Sequence, residues 1–225
     1  MALALTLLRG ILLHHELQRR DPPAPWRSFH HPMIRRLGVQ NFGIIGLGRI
    51  GTAVALRAKA FNFRVDDPYL PNGAELALGI ERAASLEELL RQTDTLSIHT
   101  PLTPETWGML GHAELGLLPQ GAVVVNTARG PIIDLDALCA LLCNGHIAAA
   151  GLDVLPTEPP VEPVPELLRA YRAREPWLEG RLVVTPHAAW FTPESEHDTR
   201  AKSAETMRAA LLTNRPQNVI TPDMY

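Results

Sequence analysis

Phe42-Gly43-Ile44-Ile45-Gly46-Leu47-Gly48-Arg49-Ile50-Gly51 decides the fold. The apolar run Phe42 to Ile45 fits a buried strand, and a Gly-x-Gly-x-x-Gly spacing follows it at Gly46, Gly48 and Gly51. After a strand, each of these glycines has a task. The first permits a tight turn, the second lets backbone approach a pyrophosphate, and the third lets helix and strand pack closely. Arg49 to Ala60 reads as the helix that follows. Arg49 and Ile50 at its start bring N–H groups that no earlier carbonyl can take, together with the positive end of the helix dipole. The pattern predicts a dinucleotide cradle.

Outward from this unit, strands and helices alternate. Short strands are expected at Arg64-Val65, Thr95 to His99, Ala122 to Val125, Ile147 to Leu152 and Leu182 to Thr185. Helices are expected from Ser85, which opens a capping box with Glu88, to about Gln92, and over His112 to Leu118, Leu135 to Cys143 and Glu194 to Leu212. Asn144-Gly145 should stop the third of these. Several strands are apolar throughout, which implies a parallel sheet covered on both faces, an α/β doubly wound fold. Asp21 to Pro32 carries four prolines and reads as a loop, as does Pro156 to Pro165 with five. Met1 to Leu13 is apolar around Arg9, with Leu5, Leu8, Ile11, Leu12 and His15 at helical spacing, and is read as one packing helix.

The 225 residues suffice for one or two domains, and 46% hydrophobic content supports a real core. A formal charge of −3 supplies no field that would draw the chain to nucleic acid or an anionic membrane. No apolar stretch approaches the ~18 residues that span a bilayer, and the N-terminus lacks the charge order of a signal peptide, so a cytosolic location is expected. Cys139 and Cys143, four apart on one helix, read as small packing residues facing the same way.

Three residues carry the expected chemistry. Arg129, in Asn126-Thr127-Ala128-Arg129-Gly130, follows a strand at the edge where such sheets bind ligands. Its planar fork suits a carboxylate and the neighbouring carbonyl of a 2-keto acid. His187, in Thr185-Pro186-His187-Ala188-Ala189-Trp190, also follows a strand, and an imidazole is a side chain that can give or take a proton. Glu158, between Asp153 and His187, is placed to orient the imidazole and stabilise its charged form. Asp66 and Asp67 lie 15 and 16 residues past Gly51. One of them could bind the ribose hydroxyls, in which case its charge would favour NAD over NADP; the alternative is a pair of turn acids.

Together these residues resemble the D-isomer-specific 2-hydroxyacid dehydrogenase family, and within it the branch containing C-terminal-binding proteins. The likeness runs from about Leu37 to Pro222. It is carried by Gly46 to Gly51, Val54 to Phe61, Asp67-Pro68-Tyr69, His99-Thr100-Pro101-Leu102, Asn126 to Gly130, Gly151-Leu152-Asp153-Val154 and Pro186 to Trp190. The resemblance implies that Arg129, Glu158 and His187 form the catalytic set. It also implies that Asp153 contacts the nicotinamide amide, that Asp67 holds the ribose, and that Thr100 and Thr127-Ala128 line the cofactor groove. Trp190 is expected to wall the substrate pocket. The domain pattern it implies is a crossover helix and loop over 1–37, an NAD-binding Rossmann-like domain over 38–192, and a C-terminal helix and tail over 193–225. The implied activity interconverts a small 2-hydroxy acid and its 2-keto acid with NAD, in a homodimer built on the cofactor domain and crossover helix.

The chain departs from that pattern in three ways. Relatives carry a flavodoxin-like substrate domain of roughly 100 residues ahead of the cofactor domain, where only about 38 residues precede it here. Apolar surface on the first and last helices is therefore expected to lie uncovered. Val65-Asp66-Asp67 lacks about two apolar residues that relatives place before the acid, which should disturb the second strand. The segment between Glu158 and His187 is longer than usual, as a surface loop tolerates. An NAD(H)-sensing corepressor-like scaffold and an inactive truncated fragment are the competing expectations.

Overall fold

The computed structural model describes residues 1–61, 63–67, 78–217 and 219, with backbone alone at 64–67. Pro68-Tyr69 of the resembling stretch and the last six residues lie outside them. The chain divides into two compact units, Met1–Pro186 and His187–Tyr225, each described by itself.

In the first unit the described strands are β1 (Asn41–Ile45), β2 (Arg64–Asp67), β3 (Glu81–Arg82), β4 (Thr95–Ile98), β5 (Ala122–Asn126), β6 (Ile147–Leu152) and β7 (Leu182–Val184). They form one sheet in the order β3-β2-β1-β4-β5-β6-β7, parallel at every pairing. Parallel neighbours need crossovers, supplied here by α3 (Arg49–Ala60), α4 (Leu86–Gln92), α5 (His112–Leu115), α6 (Leu135–Cys143) and α7 (Glu166–Arg172). The order reverses direction between β1 and β4, which is where open sheets of this kind bind ligands at their carboxyl ends.

Alternation along each strand builds two cores. Ile45, Leu96, Ile98, Val124 and Leu152 pack with Leu89, Leu90, Leu138 and Leu142 on one face. Phe42, Ile44, Val123, Val125 and Ala149 pack on the other with Val54, Ala55 and Ala58 of α3. The N-terminal segment belongs to this second core. It is two helices rather than one, α1 (Ala2–Leu8) and α2 (Ile11–Arg19), because Gly10 takes a left-handed φ of 59° between them. The break moves the buried stripe to Ala4, Leu7 and Leu8, while Ile11 stays 56% exposed. α1 thus lies on β5 and β6, with Leu3 and Leu7 over Gly151. Leu7→Ala should lower unfolding free energy by about 2–5 kcal/mol in urea titrations, the cost of a cavity in a closed core. A loss under 1 kcal/mol would mean that α1 is peripheral.

Other boundaries follow the sequence closely. α3 and α6 run over the expected residues, and Asp134 caps α6 by accepting from the N–H groups of Asp136 and Ala137. Ser85 caps α4 by accepting from the Glu88 N–H (3.1 Å), but the Glu88 carboxylate returns to the Ala84 N–H (2.6 Å) rather than to Ser85. β2 pairs with β1 through Arg64, Val65 and Asp66, so the short second strand still forms, and Asp67 ends it. α7 follows directly on the proline-rich loop Pro156 to Pro165, in a stretch where no helix is expected from sequence. Cys139 is buried as a packing residue, whereas Cys143 is exposed at the end of α6 and has no packing role.

In the second unit α8 (Pro193–Thr213) starts at a capping box: Thr192 Oγ1 accepts from the Ser195 N–H (3.0 Å), and Ser195 Oγ accepts from the Thr192 N–H (2.8 Å). None of its residues is buried, and Met207, Leu211 and Leu212 are 63–76% exposed.

Candidate active site

The glycine turn leaves β1 at the switch point. Gly46 has a φ of 96°, and a Cβ there would stand 2.7 Å from the Thr100 nitrogen and 2.9 Å from the His99 carbonyl oxygen. A Cβ on Gly51 would stand 2.0 Å from the Gly46 carbonyl oxygen. Both positions therefore exclude any side chain. Gly48 differs: nothing lies within 4 Å of its Cβ position, so the turn is open on that side. The first internal bond of α3 runs from the Thr52 N–H to the Gly48 carbonyl (2.9 Å), and the Thr52 hydroxyl closes on the Leu47 carbonyl (3.3 Å). Arg49 and the side chain of Ile50, 66% exposed, leave the helix start accessible. A crowded turn with one open side and helix N–H groups at its rim fits a dinucleotide pyrophosphate.

The next strand ends are tied to one another. The His99 N–H donates to the Ile45 carbonyl (2.7 Å), the Asp153 N–H to the Asn126 carbonyl (2.9 Å), and the Thr185 N–H to the Leu152 carbonyl (2.9 Å). Thr100, half-buried, follows β4. Asn126 is 1% exposed and uses both ends of its carboxamide: Oδ1 accepts from the Ala128 N–H and Nδ2 donates to the Arg129 carbonyl, both at 2.9 Å. This Asx-type bonding shapes the Thr127-Ala128-Arg129 turn. Arg129 itself is exposed, with Nη1 donating to the Ala128 carbonyl (2.7 Å).

Gly130 is the contact that sequence reading passed over. A Cβ there would stand 2.0 Å from the Leu155 carbonyl carbon and 2.4 Å from the Pro156 nitrogen, so the loop after β5 lies directly on the loop after β6. That second loop carries Asp153, 2% exposed, whose Oδ1 accepts from the Thr185 hydroxyl (2.5 Å). It also carries Glu158, exposed, whose Oε1 accepts from the Leu155 N–H (2.7 Å). Arg129, Asp153 and Glu158 thus stand on two stacked loops of the first unit. His187 opens the second unit, half-buried, with a φ of 52°. A histidine in the left-handed region costs on the order of 1 kcal/mol. Trp190 is 54% exposed and meets Phe191 edge-on, with centroids 5.6 Å apart. The side chain of Asp67 is not among the described atoms.

Behind the turn lies an unanticipated histidine. His99 has its Nε2 2.8 Å from the hydroxyl of Ser97, which is 1% exposed. Burial pushes its imidazole down to about 4. An unfolded histidine near 6.5 takes its proton first, so this contribution to stability is complete above about pH 6.5 and is lost as pH falls toward 4. The loss should amount to roughly 2–3 kcal/mol by pH 4.5. Urea titrations at pH 7.5 and 4.5 should show that slope flattened in His99→Gln; parallel slopes in both proteins would refute the assignment.

The fold and these loops define an α/β dinucleotide-binding domain with an ionic site at the carboxyl edge of its sheet. The family model described as "D-isomer specific 2-hydroxyacid dehydrogenase, NAD binding domain" matches residues 1–189. The chain belongs to that family and carries its NAD-binding domain. It is 38% identical over 219 residues to a glyoxylate reductase of Korarchaeum cryptofilum, covering 93% of this chain and 61% of that protein. It is 35% identical over 184 residues to a D-3-phosphoglycerate dehydrogenase of Methanocaldococcus jannaschii, covering 80% of this chain and 33% of that one. The NAD-complexed D-isomer specific 2-hydroxyacid dehydrogenase of Lactobacillus delbrueckii ssp. bulgaricus superposes with a TM-score of 0.80 at 27% identity, covering 98% of this chain and 67% of the other. The chain therefore spans about a third to three fifths of the length of these curated relatives. Among the described residues no helix is long and apolar enough to cross a membrane.

Proposed function

We propose that this chain acts as an NAD-dependent oxidoreductase interconverting a small 2-hydroxy acid and its 2-keto acid. The observation that carries the reading is the fit of Gly130 on Leu155 and Pro156, which stacks the Arg129 loop on the loop that leads to Glu158. A bound nicotinamide supplies the hydride for reduction, or accepts it in the reverse direction. Arg129 binds the substrate carboxylate and polarises the adjacent carbonyl with its fork of donors. His187 gives its proton to the carbonyl oxygen, and Glu158 orients the imidazole and stabilises its charged form. Asp153, fixed by Thr185, would hold the nicotinamide amide. Thr100, Thr127 and Ala128 line the groove, Trp190 walls the substrate pocket, and Asp67 at the end of β2 selects NAD by repelling a 2′-phosphate.

Support for two-electron chemistry on a 2-keto acid comes from the family and from the named glyoxylate reductase among the relatives. We propose further that the chain works as a homodimer, a reading favoured by the exposed Met207, Leu211 and Leu212. The test is a titration of the purified chain with NADH, following energy transfer from its four tryptophans to the reduced nicotinamide, then glyoxylate reduction in the same buffer. Saturable binding with turnover is expected, with light scattering reading twice the chain mass. A folded chain that binds NADH but reduces no 2-keto acid would overturn the catalytic reading.

A further inference from the structure

The dinucleotide reading leaves the Ser97–His99 pair without a role. Ser97 lies on β4, whose alternation sends Leu96 and Ile98 to one core and Thr95 and Ser97 to the other face. His99 continues that face, and its Cβ comes 3.5 Å from the Cβ position of Gly51, at the start of α3. Its carbonyl oxygen and the next nitrogen form the wall against Gly46, 2.9 and 2.7 Å from the Cβ position there. β4 ends at Ile98, and the ladder reaches His99 through its N–H bond to the Ile45 carbonyl. A second constraint is the half-buried ring, anchored by Nε2 to the Ser97 hydroxyl at 2.8 Å. A hydroxyl buried to this degree is costly to leave without its partner, so the pair holds its geometry firmly.

We propose that His99 is a positioning residue for the dinucleotide turn: its hydrogen bond to Ser97 holds the end of β4 against Gly46 and Gly51, and so fixes the shape of the cradle. His99 need not touch the cofactor to do this. The inference rests on the NAD-binding reading, and its test separates the two.

NADH titrations of Ser97→Ala, His99→Ala and the double variant should show single losses of about tenfold in affinity, with the double variant no weaker than either single. His99→Gln, whose amide reaches the place of Nε2, should bind within about twofold of the parent. Leu115→Ala, a cavity in the opposite core, should lower the melting temperature without changing affinity. In the free protein, the amide resonances of Gly46, Gly48 and Gly51 should move in His99→Ala and Ser97→Ala and stay in place in Leu115→Ala. Unchanged affinity and unmoved glycine amides in His99→Ala would overturn the proposal, as would an equal loss in Leu115→Ala. A parent chain that bound no NADH would sink the cofactor reading alone, because the amide resonances would still decide whether the pair holds the turn.

Discussion

Gly48→Val is expected to raise the NADH dissociation constant at least about 100-fold, some 2.7 kcal/mol, while leaving the protein folded. Two facts set the expectation. The backbone at Gly48 has φ −73° and ψ −162°, an extended conformation that valine takes without strain. No atom lies within 4 Å of the Cβ position, so the isopropyl group meets open space rather than a neighbour. The only structural cost is a poorer helix cap, about 1 kcal/mol or less. That open space is where backbone must approach a pyrophosphate, and a side chain there holds the anion away from the N–H groups of α3. Gly51→Ala makes the contrast. Its methyl would stand 2.0 Å from the Gly46 carbonyl oxygen, so fold and binding should fail together. NADH titration and thermal melts of both variants check the pair of outcomes. Parental affinity in Gly48→Val would mean that the phosphates bind elsewhere.

His187→Asn should slow glyoxylate reduction by roughly 100- to 10,000-fold, the range a positioned acid–base group contributes, with NADH affinity within about twofold of the parent. Asparagine is the informative replacement because it tolerates the left-handed φ of 52° that His187 adopts, so the backbone turn survives. Asparagine also keeps hydrogen-bonding capacity but cannot deliver a proton near neutrality. A kcat that falls while NADH still binds separates chemistry from cofactor capture. Undiminished turnover would remove His187 from the mechanism and direct attention to another proton donor.

Phe42 to Ala60 was legible because two periods meet there: an apolar strand, then a helix opened by glycines whose spacing has one steric meaning. Leu135–Cys143 was legible for a similar reason, with Asn144-Gly145 as its stop. α7 was not, since the five prolines before it masked a start at Glu166, although an acid in its first turn and Arg169 and Arg172 in its last agree with a helix dipole. The split between α1 and α2 turned on the conformation of Gly10, which composition alone does not reveal. Exposure of Cys143 depended on where α6 ends, and a four-residue spacing says nothing about that. For the proposed site, Arg129, Glu158 and His187 are singled out by residue type and order alone. The supports could not: Asn126, Gly130, Thr185 and the Ser97–His99 pair act through contacts between segments far apart in sequence. An Asn directly after a strand was the available hint of an Asx turn.

The seat of α1 on β5 and β6 also sets an order of events during biosynthesis. Leu7 has to wait for Val123, Val125 and Ala149, which leave the ribosome more than a hundred residues later, at about 5–20 residues per second. Until then its apolar stripe lacks the sheet partners that close this core, and stays partly uncovered for seconds. Parallel pairing of β1 with β4 imposes a further, shorter wait, so few contacts in this sheet are local and collapse should be slow. Docking of α1 would then be a late step, and truncations that stop short of β6 should be the ones that chaperones retain.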